Sequence, residues 1–282
     1  MIRLGCCISH GTFVPIIKNE NIQVRKKDIL KSEYDIIINS GYDFIESTVG
    51  FINNMTEDEF TAACDFVKRN EFKIEVANSF IPSELHITGN NVSKDLLNEY
   101  VCKSMIRLKA LGGSLIVFGS GSARRVPDDF PRNKAIEQIY EFLEICARQG
   151  EQNEIYIVIE PLNKSETNII NTVTEGLEYV EAINKSYVRL LADSYHFYKE
   201  NEDLSVLNKA APYLKHIHIA EPYNRTYPGD EGGEYLKKFI HTLDNIKYTG
   251  NISIECKFKD FNVEIYKSYK FLKELKVNWA IK

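Results

Sequence analysis

The sequence predicts an α/β protein built as a (β/α)8 TIM barrel, and three observations carry that expectation. Eight short runs rich in β-branched and aromatic residues recur along the 282 residues. Longer segments with apolar residues at i, i+3 and i+4 lie between them. No linker, charge block or Pro/Ser-rich seam offers a place to divide the chain. Strands separated by helices need right-handed crossovers and a parallel sheet. Eight such units in about 280 residues close naturally into one barrel domain, so the expectation is a single domain over residues 1–282. A doubly wound open sheet competes, but no G-x-G-x-x-G follows the first strand as a dinucleotide fold would want.

Strands are expected at Arg3–Ile8, Phe44–Glu46, Ile74–Ala77, Leu115–Phe118, Ile155–Ile159, Val188–Ala192, His216–Ile219 and Ile252–Glu255. The helical segment from Thr56 to Asn70 opens with Glu57, Asp58 and Glu59, acids suited to the positive end of a helix. Next comes a stripe of Leu96, Leu97, Tyr100, Val101, Met105, Leu108 and Leu111 at helical spacing. A segment from Lys134 to Arg148 is followed by Gly150, where a left-handed cap is expected. Further helices are expected at Val173–Ile183, Leu204–Ala210, Tyr235–Leu243 and Val263–Leu275.

Composition excludes several classes of function. Thirty-five basic against 40 acidic side chains leave a formal charge of −5, whereas a nucleic-acid binder wants a basic stripe. The strand-like apolar run Ile155–Ile159 is far short of the roughly 18 residues that cross a bilayer. The opening MIRLGCCISHG reads as a first strand, being too short and too interrupted for a secretory leader. Six scattered cysteines without a C-x-x-C pair read as buried free thiols of a cytoplasmic protein. His10, His86 and His241 have no constellation around them.

In a barrel the chemistry lies at the carboxyl ends of the strands, and here the later strands end in acids. The fifth ends IVIEPLN at Glu160, the sixth LLADSYH at Asp193 and the eighth ISIEC at Glu255, while the seventh carries His216 and His218 in HIHIAE. Three carboxylates in a partly desolvated cup ionise together at neutral pH only around a cation. Three hard oxygens and one nitrogen suit Mn2+, Mg2+ or Co2+, with Zn2+ also compatible. His216 and His218 share one face of their strand. His218, nearer the carboxyl end, is the expected ligand, and His216 a core or supporting histidine. Glu46 ends the second strand, facing the cup or holding a structural hydrogen bond.

These motifs resemble the xylose-isomerase-like barrel superfamily of sugar and sugar-phosphate isomerases and epimerases, and most of all its ketose 3-epimerases of the tagatose/psicose kind. The resemblance runs from GYDFIE (Gly41–Glu46) to the eighth strand. It is most specific in E-P-L-N-x-x-E (Glu160–Glu166), D-x-x-H (Asp193–His196), H-x-H followed by N-R (His216, His218, Asn224, Arg225) and Glu255. It implies a divalent metal held by Glu160, Asp193, His218 and Glu255, and a carbohydrate substrate held by Glu166, His196 and Arg225. It further implies Glu160 and Glu255 as the acid/base pair around a metal-stabilised enediolate. Epimerisation and aldose–ketose isomerisation both remain open, as do the sugar and its phosphorylation. Relatives of this kind are often dimers or tetramers, which leaves a homo-oligomer open here.

Three other readings compete. A dehydratase of the same superfamily would use the same cup. An endonuclease IV-like hydrolase would want more than six histidines and a basic surface. A non-catalytic sugar-binding barrel would leave the acidic cup as a standing cost. Two features have alternative readings of their own. The loop Gly119–Arg125 reads either as a glycine-permitted turn with solvated arginines or as a cradle for an anionic group. Phe118 and Tyr195 stand where a sugar face could stack.

Overall fold

The computed structural model describes residues 2–8, 26–69 and 73–275. Expectations that fall on His10, Asn70 and the rest of the opening segment beyond Ile8 lie outside the described residues. Eight parallel strands close into a barrel in sequence order: β1 (Leu4–Cys7), β2 (Phe44–Thr48), β3 (Ile74–Asn78), β4 (Leu115–Phe118), β5 (Tyr156–Ile159), β6 (Val188–Asp193), β7 (Leu214–Ile219) and β8 (Asn251–Ile254). Closure is made by β1 against β8, with Leu4 opposite Ile252 and Cys6 opposite Ile254. A closed sheet has no edge to protect, so four- to six-residue strands suffice.

Alternation along each strand divides its side chains between two apolar regions. Phe44, Val76, Leu115, Val117, Val158 and Leu191 form a compact plug inside the barrel. Their neighbours, such as Ile45, Ala77, Ile116, Ile157 and Ala192, face the helices in the larger core. Near-continuous burial on both faces is what a parallel sheet covered by helices requires.

The helix Glu57–Arg69 starts as its sequence suggests. Glu59 N donates to Thr56 Oγ1 and Thr56 N to Glu59 Oε2, a reciprocal capping box. The helix Arg132–Asn153 corrects an expectation: it runs through Gly150, and Glu154 takes the left-handed cap at φ 54°. Gly150 serves packing instead, because a Cβ there would fall 2.6 Å from the Ile155 carbonyl oxygen. Helices at Lys26–Asn39, Val49–Asn53, Gly121–Arg124 and Ser194–Lys199 had no clear periodic signal, and three of these are shorter than two turns. No helix among the described residues is long and apolar enough to cross a membrane. None of the six cysteines, all among the described residues, is in a disulfide, but only Cys6 and Cys146 are buried; the other four are partly exposed.

Candidate active site

Two residues beyond the plug, the same inward phase reaches the barrel mouth. Phe44 leads to Glu46, Val76 to Asn78, Val117 to Gly119, Val158 to Glu160 and Leu191 to Asp193. Across the next pairings, Asp193 lies opposite His218 and His218 opposite Ser253, two residues before Glu255. Period-2 geometry thus converts six strands, β2, β3 and β5–β8, into one ring of polar side chains.

Glu160, Asp193, His218 and Glu255 each bring one donor atom into a group in which all four lie within 4.8 Å of one another. His218 Nδ1 is 3.1 Å from Glu160 Oε1 and 3.4 Å from Glu255 Oε2. Its Nε2 points the other way, 3.0 Å from Glu46 Oε1. Glu46 is fully buried and also pairs with His216 Nε2 at 2.9 Å, which in turn lies 3.1 Å from Ser253 Oγ. The second histidine therefore supports the first through a shared carboxylate, and that carboxylate presents Nδ1 of His218 to the cup. Asp193 is fixed by its own helix: Oδ1 accepts from Tyr195 N at 2.7 Å as the cap of Ser194–Lys199. Its Oδ2 is left facing His196 and Arg225.

The cup draws positive charge. Burial opposes protonation of His218, but Glu46 and the surrounding acids lift its pKa well above the ordinary imidazole value. Burial, and then the neighbouring Glu255 carboxylate, lift Glu160. Burial alone would lift Glu255 too, yet the Arg225 guanidinium and His218 hold it well below the usual carboxylate range. Burial works against ionised Glu46, and the His218 and His216 imidazoles overcome it; burial lowers His216 itself. Three carboxylates and one imidazole, all buried but the partly exposed Glu255 and mutually repulsive in their acids, make a donor set that fits a hard divalent cation. A second grouping, Cys7, Glu46 and His218, shares the same histidine.

Beside the cup lie the remaining expected residues. His196 Nδ1 accepts from Asn163 N at 3.2 Å and lies 2.8 Å from Asn163 Nδ2, which places the ring proton on Nε2. That Nε2 is buried, 3.7 Å from Asp193 Oδ2, and has no hydrogen-bond partner among the described residues. Arg225 pairs with Glu255 and lies 3.5 Å from Asp193 Oδ2 and 3.6 Å from Glu166 Oε1. Its guanidinium sits 4.9 Å from the Tyr195 ring centroid, so Tyr195 supports the arginine. Arg225 adopts φ 57°, and its carbonyl accepts from Lys257 N at 2.7 Å, tying the loop after β7 to the end of β8.

A cavity of about 270 Å3 opens over these residues, bounded by Glu160, Glu166, His196, Arg225 and Glu255. Asn78 and the loops after β3 and β4 line it as well. Gly119 is needed in this lining, since a Cβ there would fall 2.5 Å from Glu160 Oε2.

Two expectations are corrected. Phe118 is fully buried in the outer core, 4.9 Å from Phe142 centroid to centroid, and does not face a sugar. Arg124 is neither solvated nor turned to a ligand: fully buried, it donates to the carbonyls of Phe118, Glu160 and Ile170. Arg125 is exposed. Sequence reasoning gave no role of their own to Asn163, present only as a letter of E-P-L-N-x-x-E, to Asn78, or to Gly119, read only as part of the Gly119–Arg125 loop. Alternation from the apolar plug would have found the last two, but Asn163 acts from a loop with no period.

The sequence profile of the xylose isomerase-like TIM barrel family matches residues 35–275. The chain belongs to that family. A D-psicose 3-epimerase of Agrobacterium fabrum is 32% identical over 102 residues, 36% of this chain and 35% of that protein. An L-ribulose 3-epimerase of Methylomonas sp. is 30% identical over 173 residues, 60% of this chain and 57% of that protein. The chain thus matches about a third to three fifths of the length of these two relatives. The crystal structure of a D-allulose 3-epimerase from Methylomonas sp. with D-allulose superposes with a TM-score of 0.76 at 19% identity, covering 98% of this chain and 97% of that one. That likeness establishes the shared fold.

Proposed function

We propose that this xylose isomerase-like barrel is a divalent-metal-dependent epimerase or isomerase of a ketose or ketose-like sugar derivative, working through an enediolate. The observation that carries the proposal is the cup itself, where Glu160 and Glu255 flank His218 Nδ1 from strands three places apart in the ring. The names of the two epimerase relatives support the same reading. A divalent cation held by Glu160, Asp193, His218 and Glu255, Mn2+, Mg2+ or Co2+ by its donors, would supply Lewis-acid stabilisation of developing oxyanion charge.

The chain's own residues do the rest. A carboxylate on β5 and another after β8 approach a seated sugar from different sides, so one can remove a carbon-bound proton and the other return one to the opposite face. His196, with its proton on Nε2 and no partner there among the described residues, donates to a substrate oxygen. Arg225 supplies a second, cationic donor, and Glu166 accepts a hydroxyl at the open side. Glu46 and His216 hold the histidine in place during these steps.

Proton NMR of the Mn2+-loaded protein with a panel of ketoses in D2O tests the proposal, with Glu255→Gln as control. Deuterium should enter at the carbon next to the carbonyl and disappear in the control. Release of water with a new conjugated chromophore would instead mark a dehydratase, and no exchange with metal bound would overturn the enediolate reading.

A further inference from the structure

Asn78 is the last residue of β3 and lies two positions beyond Val76 of the apolar plug. Its side chain therefore points into the barrel, at the level of Glu46 and Glu160. It is only 6% exposed and forms part of the cavity wall on the β3–β4 side, where the cup's ligands come from β5–β8. Its Oδ1 has no hydrogen-bond partner among the described residues. Buried amide oxygens are paired in the large majority of cases, so an unpaired one in a cavity wall marks a position for a donor from outside the chain. The same amide also carries two N–H donors. A hydroxyl, donor and acceptor at once, matches both halves of the group, whereas a phosphate oxygen would match only one.

The surroundings favour a neutral ligand. Ser79, Ser83 and Ser122 contribute hydroxyl-bearing walls to the same side of the cavity. Arg124, on the adjoining turn, spends its guanidinium on three backbone carbonyls. No cationic side chain among the described residues lines that side, so an anionic ester there would sit without a counter-ion. The walls are also tied together, because Ser120 Oγ accepts from Ile81 N at 2.9 Å and joins the loop after β4 to that after β3.

We propose that the β3–β4 side of the mouth is a hydroxyl-recognition subsite for the uncharged end of the substrate farthest from the carboxylate cup, with Asn78 as its specificity-determining residue. The proposal deepens the epimerase reading and rests on it for the orientation of the substrate, carbonyl at the cup and hydroxylated tail at Asn78.

The test compares wild type with Asn78→Leu, which keeps the bulk and removes both polar groups, using a ketohexose and a ketotetrose. The expected result is that the ratio of kcat/KM for the ketohexose to that for the ketotetrose falls about tenfold or more, chiefly through KM, as loss of a buried hydrogen bond predicts. An unchanged ratio, or equal losses on both substrates, would overturn the subsite. Ser122→Leu, at an exposed position on the same wall, fills that side without touching the barrel and should shift the ratio in the same direction. It decides the matter if Asn78→Leu fails to fold. Titration calorimetry with a hexitol and a tetritol separates this proposal from the activity. If wild type exchanges no ketose, the epimerase reading fails; a hexitol preference lost in Asn78→Leu then still supports the subsite, and no preference in wild type overturns it.

Discussion

The two halves of the barrel mouth are built on opposite plans. On β5–β8 every inward strand end carries a charge or an imidazole, and three of the four are held by a group outside the set: Asp193 by the helix it caps, His218 by Glu46, Glu255 by Arg225. On β3 and β4 the corresponding positions are Asn78 and Gly119, neutral and small, and Asn78 keeps an unpaired oxygen. The difference separates two demands. Bond-making needs charges whose positions are fixed before substrate arrives, while recognition of a tail needs space and an unspent hydrogen bond. Variants on the first half should therefore reduce turnover or metal affinity, and variants on the second should change which molecule is accepted.

The largest effect should come from Glu255→Gln, which keeps shape and removes a proton-transfer group: solvent exchange into a ketose should fall by about 10^2- to 10^4-fold, with the melting temperature little changed. Exchange within tenfold of wild type would place the proton transfer elsewhere. Glu46→Gln comes next. It lies directly behind His218 and holds the rings of both His216 and His218, so Mn2+ affinity by calorimetry should weaken about 10- to 100-fold. An unchanged affinity would mean that the second grouping with Cys7, rather than the support of His218, explains its burial. Gly119→Ala joins the two halves, because its methyl would meet Glu160 Oε2 at 2.5 Å. Displacing that carboxylate by a fraction of an ångström should slow exchange about tenfold, with a smaller change in the preference between ketohexose and ketotetrose.

How much of this the sequence discloses follows from the range of each interaction. The strands were legible because alternation and β-branched runs are local, and the capping box at Thr56 and Glu59 is local too. Glu160, Asp193, His218 and Glu255 were legible as a set because a barrel gathers strand ends wherever the intervening helices lie. The inward phase of Glu46 could be read, but its partners, on β7, lie 170 and 172 residues away. Gly150 misled because a glycine can serve either a left-handed cap or a close approach, and only the Ile155 carbonyl decides between them. Asn78 carries no motif at all, and only its lack of a partner distinguishes it.

Arg124 shows the same limit most sharply, and it supplies the smallest expected effect on chemistry. From the sequence an Arg pair after a glycine-rich turn invites an anion, yet the fold closes Arg124 beneath the loop and burial pushes its pKa down to about 10. Burying a guanidinium is unfavourable, and the three carbonyls it satisfies offset that by joining β4, the end of β5 and the loop at Ile170. Arg124→Met should therefore lose about 2–3 kcal/mol of stability, less than the sum of three charge-assisted bonds because the desolvation of the charge is recovered. At about 2 °C per kcal/mol for a chain of this size, the melting temperature should drop by roughly 4–6 °C. Exchange kinetics at 25 °C and inhibition by inorganic phosphate should match wild type. A variant that melts normally but loses affinity for a phosphorylated ketose would return Arg124 to the ligand and erase the contrast between a charged half and a neutral one.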